Sequence, residues 1–451
     1  MALAPTTLPD DPSESPVREL VRRFLITILL GVVIYRLGVF ITIPGVDASV
    51  LKDKVAGVDE NSVLTSIIAF ADMFNGGAIM NAAIFGLGIT PYISASIIMQ
   101  LLTYSMPALK AIQKEGEGGR RKINQYTRYA TLAICSVQSV LAAIALTSIT
   151  HDGRPLVTMG NTTLFIAQAA LVITTGSMVI LWIAEQITKF GIGNGVSVVI
   201  MISILSALPG AFHGGEANLP HYLGVILMSL VIIAGIVVVV QAVRRISLEQ
   251  QRRVQGNKVY GGAQTSLPLK LNQANVIPVI FAQPVMMALG LLGGWALSTW
   301  GLGNLFDWGT PLYRYCFAAL IIGFTYFYIS ITFDLFDLAN HFKQAGFFIR
   351  GIRPGKNTVD YLAFHLKRIT FMGAIFLAVI AIMPEILEKT VGLGSGKGER
   401  MLMGGTGLLI VVGVSLDIMQ KVGAFFLAAQ YRGLGGIGDA STKKNGNGKR
   451  F

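Results

Sequence analysis

The sequence predicts an all-α integral membrane protein with about ten transmembrane helices, on three observations. The first is composition. Hydrophobic residues make up 53% of the chain and charged residues 13%, whereas soluble domains carry about 25% charged residues. The second is segmentation, because apolar runs near the roughly 20 residues that a helix needs to cross hydrocarbon recur along the chain. The third is the placement of charge. Alternating the runs from a cytoplasmic N-terminus puts 28 Lys and Arg side chains inside and 7 outside, with Arg36 within the first run. That is the positive-inside pattern, and losing one run would scramble it.

The chain begins with a polar, acidic, Pro-rich stretch, Met1 to Pro16. It reads as a disordered cytoplasmic tail and lacks the basic start and apolar core of a cleaved signal peptide. The first span covers Phe24–Ile43 and stops at Pro44-Gly45. The next apolar stretch, Ser62–Phe74, has only 13 residues, contains Asp72 and ends at Gly76-Gly77. Its length makes it re-entrant or interfacial rather than spanning. The second span, Ala82–Leu102, contains Pro91. Further spans fall at Tyr129–Ile149, Leu164–Ile183, Val196–Phe212, Leu223–Val243, Val276–Leu297, Phe317–Phe333, Ile369–Ile386 and Gly407–Ala429. Val196–Phe212 is short and holds Pro209, and the charge alternation is what retains it. Two cytoplasmic loops, 241–275 and 334–368, are long and basic, and loops of that length usually carry function.

No catalytic constellation emerges. His151, His213, His221, His341 and His365 do not pair with one another or with Cys at metal-ligand spacing. Cys135 and Cys316 sit singly in apolar runs, as small buried hydrophobes do. Gly394-Ser395-Gly396-Lys397 fails as a phosphate loop, because Val391 and Gly398 stand where Gly and Ser or Thr are required. The expectation is a non-enzyme without cofactor or metal, driven by a partner or an ion gradient. The charges within spans also read as structural. Asp417 can pair with Lys421 four residues on, and Arg36 can meet backbone carbonyls or a neighbouring helix. Asp334 and Asp337 lie at a helix end.

Several segments then coincide with a known family. They are Phe40-Ile-Thr-Ile-Pro-Gly-Val-Asp47, Met73-Phe-Asn-Gly-Gly-Ala78 and Gly86-Leu-Gly-Ile-Thr-Pro-Tyr-Ile-Ser-Ala-Ser96. Lys114-Glu-Gly-Glu-Gly-Gly-Arg-Arg-Lys-Ile-Asn-Gln-Tyr-Thr-Arg128, Gly191-Ile-Gly-Asn-Gly195 and Gly351-Ile-Arg-Pro-Gly355 continue the series. In content and order the chain resembles the SecY family, the central subunit of the bacterial Sec protein-conducting channel. The resemblance implies two pseudo-symmetric inverted halves of five helices around a central pore. They would cover 20–215 and 216–435, between a tail at 1–19 and a basic tail at 436–451.

The same resemblance implies roles for individual residues. The re-entrant stretch becomes a plug at about 66–77, with Ile67, Phe70, Met73, Phe74, Gly76 and Gly77. A pore ring falls on Ile89, Ile93, Ile200, Ile280 and Ile410, an aliphatic collar that dewets when empty. A lateral gate lies between the span holding Pro91 and the one starting near Val276, bridged by Ser94, Gln138 and Asn272. Arg350, Arg353 and Lys356 in one long loop, with Arg252, Arg253 and Lys258 in the other, match a docking surface. One departure is Asn257, where the family often has a second basic residue before Val259-Tyr260. The implied partners are SecE-like and SecG-like membrane subunits, a SecA motor ATPase, the ribosome with its RNA phosphates, unfolded preproteins with their signal sequences, and lipid. The implied location is a bacterial-type cytoplasmic membrane with both termini inside. The rival reading is a secondary transporter of a small solute. Few acidic groups near the midplane and the long basic loops count against it.

Overall fold

The computed structural model describes residues 16–51, 72, 74–151, 154–211, 219–250, 253–255, 258–260, 264–282, 285–286, 289, 310–391 and 405–445. The protein is mainly helical, as the sequence requires. Helix α1 is α-helical over Pro16–Ile28 and Tyr35–Phe40, with a π-helical stretch at Leu29–Ile34 between them. Then follow α2 (Thr90–Ser105), α3 (Pro107–Lys114), α4 (Glu117–Thr147), α5 (Thr162–Phe190), α6 (Gly195–Ala211) and α7 (Leu219–Gln241). Residues 277–282 begin the next helix. The chain continues with α8 (Pro311–Thr332), α9 (Leu335–Ala345), α10 (Lys356–Val391) and α11 (Gly405–Asn445).

Among the described residues, six helices are long and apolar enough to cross a membrane, and Gly195–Ser206 and Ile226–Gln241 are shorter apolar helices. Each of the ten expected spans falls on a helix, the seventh described only in part. The helix ends follow local chemistry. Asn161 caps α5 by accepting from the Leu164 amide at 3.4 Å, and Thr310 caps α8 ahead of Pro311 at its first position. The outward faces of the spans carry large exposed apolar side chains such as Leu171, Leu227 and Val379. In water these would be sticky patches; in a bilayer they face their own kind of solvent.

Several boundaries differ from the sequence reading: α4 starts twelve residues before Tyr129, α11 runs sixteen residues past Ala429 into the stretch assigned to the basic tail, and three more bear on the site. Helix α1 starts at Pro16, inside the stretch assigned to the tail. The second span does not begin as a helix at Ala82, because residues 82–89 run as turns and α2 starts at Thr90. Ala82 and Gly88 have φ of 43° and 56°, in the left-handed region that no α-helix accommodates. Backbone groups freed there are satisfied by the extended segment just after α1: Ile43 N donates to Ala82 O and Ile84 N to Ile41 O, each at 2.9 Å. Third, α10 begins thirteen residues before Ile369, because its first turns pack on the two long basic loops.

Two interior cores follow the two halves. One joins α1, α5, α6 and the 78–89 turns, and includes Tyr35, Phe85, Ile180 and Val198. The other joins α7, α8, α10 and α11 with Val279, Ala282 and Met286. Helix α11 serves both, turning Ile410 to the first and Leu409 and Leu416 to the second.

The two long basic loops form a single platform. Strand β3 (Val243–Gln250) pairs antiparallel with β6 (Gln264–Lys270) and with β7 (Phe347–Phe348) of the other loop, through Glu249↔Phe348 and Gln250↔Phe347. Between β3 and β6, β4 (Arg253–Gln255) and β5 (Lys258–Tyr260) make a hairpin. Ile246, Leu248, Leu269, Ile349 and Leu362 give the platform its own core. A short hairpin of β1 (Thr150–His151) and β2 (Arg154–Pro155) precedes a bridge from Val157 to Val46. Beside it, the Ser49 hydroxyl and amide hold the Asp47 carboxyl below the usual carboxylate range.

Candidate functional site

The five isoleucines of the implied pore ring lie in one apolar cluster where the halves meet. Ile89 is the N-cap residue of α2, Ile93 sits one turn on, Ile200 is on α6, Ile280 on the 277–282 helix and Ile410 on α11. Ile89, Ile200 and Ile410 are buried, and Ile93 and Ile280 pack against them partly exposed. Two segments come from each half. None of the five side chains has a group that could hydrogen-bond water or a peptide. Tight packing of such groups leaves no polar path for an ion.

The plug residues fall on both sides of what is described. Ile67, Phe70 and Met73 lie outside the described residues. Phe74 is described and joins the collar cluster. Behind it the chain turns sharply: Gly76 and Gly77 have φ of 64° and 91°, a region that favours glycine. This turn is tied at several points. The Asp72 carboxylate accepts from the Ile79 and Met80 amides at 2.8 and 3.1 Å. Arg36 Nη1 donates to Gly76 O at 3.1 Å, with its guanidinium over the Phe40 ring. Asn75 Nδ2 donates to Gly86 O at 2.9 Å, and Ser203 Oγ to the buried Tyr35 hydroxyl at 2.7 Å. The backbone-carbonyl partner anticipated for Arg36 is therefore present. So is the Asp417–Lys421 pair, at 3.0 Å. Tyr35, Asn75 and Ser203 went unnoticed in the sequence. Asn75 lay within a quoted motif, but nothing local singled out Tyr35 or Ser203.

The gate residues are not joined. Ser94 Oγ donates to Thr90 O of its own helix at 3.2 Å. Asn272 is buried, and its Oδ1 has no partner among the described residues. No hydrogen bond links either residue or Gln138 to another of the three, so the bridging cluster is absent in this arrangement. A serine in a helix satisfies itself by back-bonding to the carbonyl four residues earlier.

The docking residues divide between the two loops. Arg350, Arg353 and Lys356 are exposed around a turn in which Gly351 and Gly355 have φ of 81° and 117°. Thr358 Oγ1 donates to Arg353 O at 3.1 Å and fixes the turn against α10. In the other loop, Arg253 and Lys258 lie on the β4–β5 hairpin, and Arg252 and Asn257 fall outside the described residues.

These features define a multi-pass membrane protein of two helical halves that meet on an aliphatic waist. The SecY family model matches residues 83–419. The protein translocase subunit SecY of Thermotoga maritima is 37% identical over 422 residues, covering 92% of this chain and 95% of that protein. The subunit of the same name from Escherichia coli K12 is 38% identical over 428 residues, covering 91% and 93%. The chain belongs to the SecY family. Among solved structures, one described as a protein-conducting channel superposes with a TM-score of 0.61 at 18% identity, covering 93% of this chain and 95% of that one. Sec61 from a canine ribosome–channel complex superposes at 0.59 and 17% identity, covering 94% and 95%. Both share the fold.

Proposed function

We infer that the chain is the pore subunit of a protein translocase, passing unfolded polypeptides across the membrane and releasing apolar segments sideways into lipid. The observation that carries this reading is the cluster of Ile89, Ile93, Ile200, Ile280 and Ile410, drawn from both halves, with Phe74 packed beside it. A ring without polar groups binds no particular peptide sequence and yields to side chains of many sizes. It also excludes water and ions while closed.

The 66–77 stretch acts as the stopper, and its Gly76-Gly77 exit is the joint on which it swings once the Arg36 tie to Gly76 O is released. The 277–282 helix and α2 flank the lateral gate. The turn bearing Arg350, Arg353 and Lys356 presents rigid cations to acidic groups of a motor ATPase or to ribosomal RNA phosphates. The relatives are named as translocase subunits, and one structural neighbour comes from a ribosome–channel complex. Both names support a multi-subunit assembly with SecE-like and SecG-like helices in a bacterial-type cytoplasmic membrane. The charge asymmetry supports cytoplasmic termini. The chain acts as a conduit and catalyses no reaction.

Reconstitution into liposomes with the motor, ATP and a radiolabelled precursor tests this. Protease-protected precursor inside the vesicles is the expected result. Solute counterflow without precursor uptake would favour a small-solute transporter instead.

A further inference from the structure

We propose that Lys110, Lys114, Asp334 and Asp337 form an ionic latch across the cytoplasmic mouth of the lateral gate, setting how apolar a signal segment must be to open it. The proposal rests on the gate reading above and supplies what Ser94, Gln138 and Asn272 do not, a polar connection between the two sides.

The geometry is a pair of parallel bridges. Lys110 Nζ lies 3.5 Å from Asp334 Oδ2, and Lys114 Nζ lies 3.7 Å from Asp337 Oδ2. The two lysines are four residues apart on α3, one above the other on a single helix face. Asp334 is the N-cap of α9, accepting from the Phe336 and Asp337 amides at 3.1 and 3.2 Å, and Asp337 lies in the first turn. Carboxylates there are favoured by the helix dipole, so the acidic side of the latch is positioned independently of the lysines.

Connectivity gives these pairs their meaning. Helix α3 follows α2 after Met106 alone, and α9 follows α8 after Phe333 and Asp334. Helix α8 packs against the 277–282 helix, with the rings of Phe324 and Phe281 6.2 Å apart. One side of the latch is thus carried by the gate helix of the first half, and the other by the helix that backs the gate in the second. Separating α2 from the 277–282 segment must pull α3 from α9 and stretch both bridges. Every other ion pair between described residues lies within one half, as Arg128–Glu185 and Lys421–Asp417 do.

The strength suits a threshold. All four side chains are well exposed, so each bridge alone is weak and screened by salt. Two weak bridges bias a gate a few-fold without locking it, and an inserting apolar segment readily overcomes that bias.

The test uses the complete complex in liposomes and two precursors, one with an intact and one with a shortened apolar signal core. Lys114→Glu should raise the ratio of shortened-core to intact export about three- to tenfold. Combining it with Asp337→Lys should return the ratio to its starting value. Asp334→Asn keeps a good N-cap while removing charge, and should raise the ratio in the same direction. A ratio unmoved by the reversals, or a swapped pair that fails to restore it, overturns the latch. A second arm separates this from failure of the gate reading. In a Cys135→Ala, Cys316→Ala background, cysteines at positions 114 and 337 are joined by a short bismaleimide. If the tether blocks lateral release of a membrane segment while the reversals do nothing, the gate stands and the latch falls. If the tether leaves release unaffected, the gate reading fails and takes the latch with it.

Discussion

The aliphatic waist and the basic platform solve opposite problems with the same chain. At the waist, Ile89, Ile200 and Ile410 are buried among apolar neighbours from both halves. On the platform, Arg350 and Arg353 stand in water on a turn whose glycines adopt conformations other residues avoid. On the proposed reading, the waist works by what its side chains lack, since any polar atom would admit water. On the same reading, the platform works by what its side chains project, since a cation on a flexible loop loses more entropy on binding than one on a braced turn. Substitutions should therefore act differently in the two places. On the platform they should abolish partner contact and leave the seal intact. At the waist they should breach the seal and leave docking intact.

The largest effect is expected from Arg353→Glu. Reversing a charge that meets an acidic or phosphate partner should lower motor-driven export at least about tenfold, with the protein inserted at its normal level by membrane fractionation. Export at the normal rate would remove Arg353 from the docking surface. Deleting residues 66–77 should act at the waist instead. The resting channel should leak ions severalfold above the intact protein in planar bilayers and accept weaker signal sequences, while motor affinity stays the same. Unchanged conductance would show that this stretch is not the stopper.

Smaller effects concern the scaffold around the waist. Gly88 has φ of 56°, and a Cβ there would run into the Asn75 side-chain amide. Gly88→Val should cost about 2 kcal/mol from strain and overpacking together, read as a lower melting temperature of the purified protein in detergent. An unchanged melting temperature would mean that the 82–89 turns are not fixed as described. The smallest effect is expected from Lys421→Ala. An exposed pair one helical turn apart contributes about 0.5 kcal/mol or less, so stability and export should both stay close to the unsubstituted protein. A large loss of export would assign the Asp417–Lys421 pair a functional role.

The sequence made some of this legible and hid the rest for physical reasons. A bilayer imposes its thickness on every spanning helix, so apolar runs and flanking charges located the spans without reference to any fold. Hydropathy is blind to φ, and so the apolar stretch before Thr90 looked like helix although Ala82 and Gly88 forbid one there. The pairing of Glu249 and Gln250 with Phe348 and Phe347 joins segments about a hundred residues apart, which no local pattern reveals. The proposed collar was the least legible part. An isoleucine in an apolar helix carries the same local signature whether it packs or lines a pore, and only the family resemblance distinguished these five. Ser94 shows the converse, a polar residue that satisfied its own helix instead of the gate.

The most direct test places a photo-reactive amino acid in turn at positions 89, 200 and 410 and stalls a translocating precursor by a bulky folded domain at its C-terminus. All three positions should crosslink to the same short stretch of the stalled chain, and position 171 on the lipid-facing side of α5 should not. Crosslinks missing from any one of the three, or equally strong at position 171, would contradict an aliphatic waist that closes around the moving polypeptide.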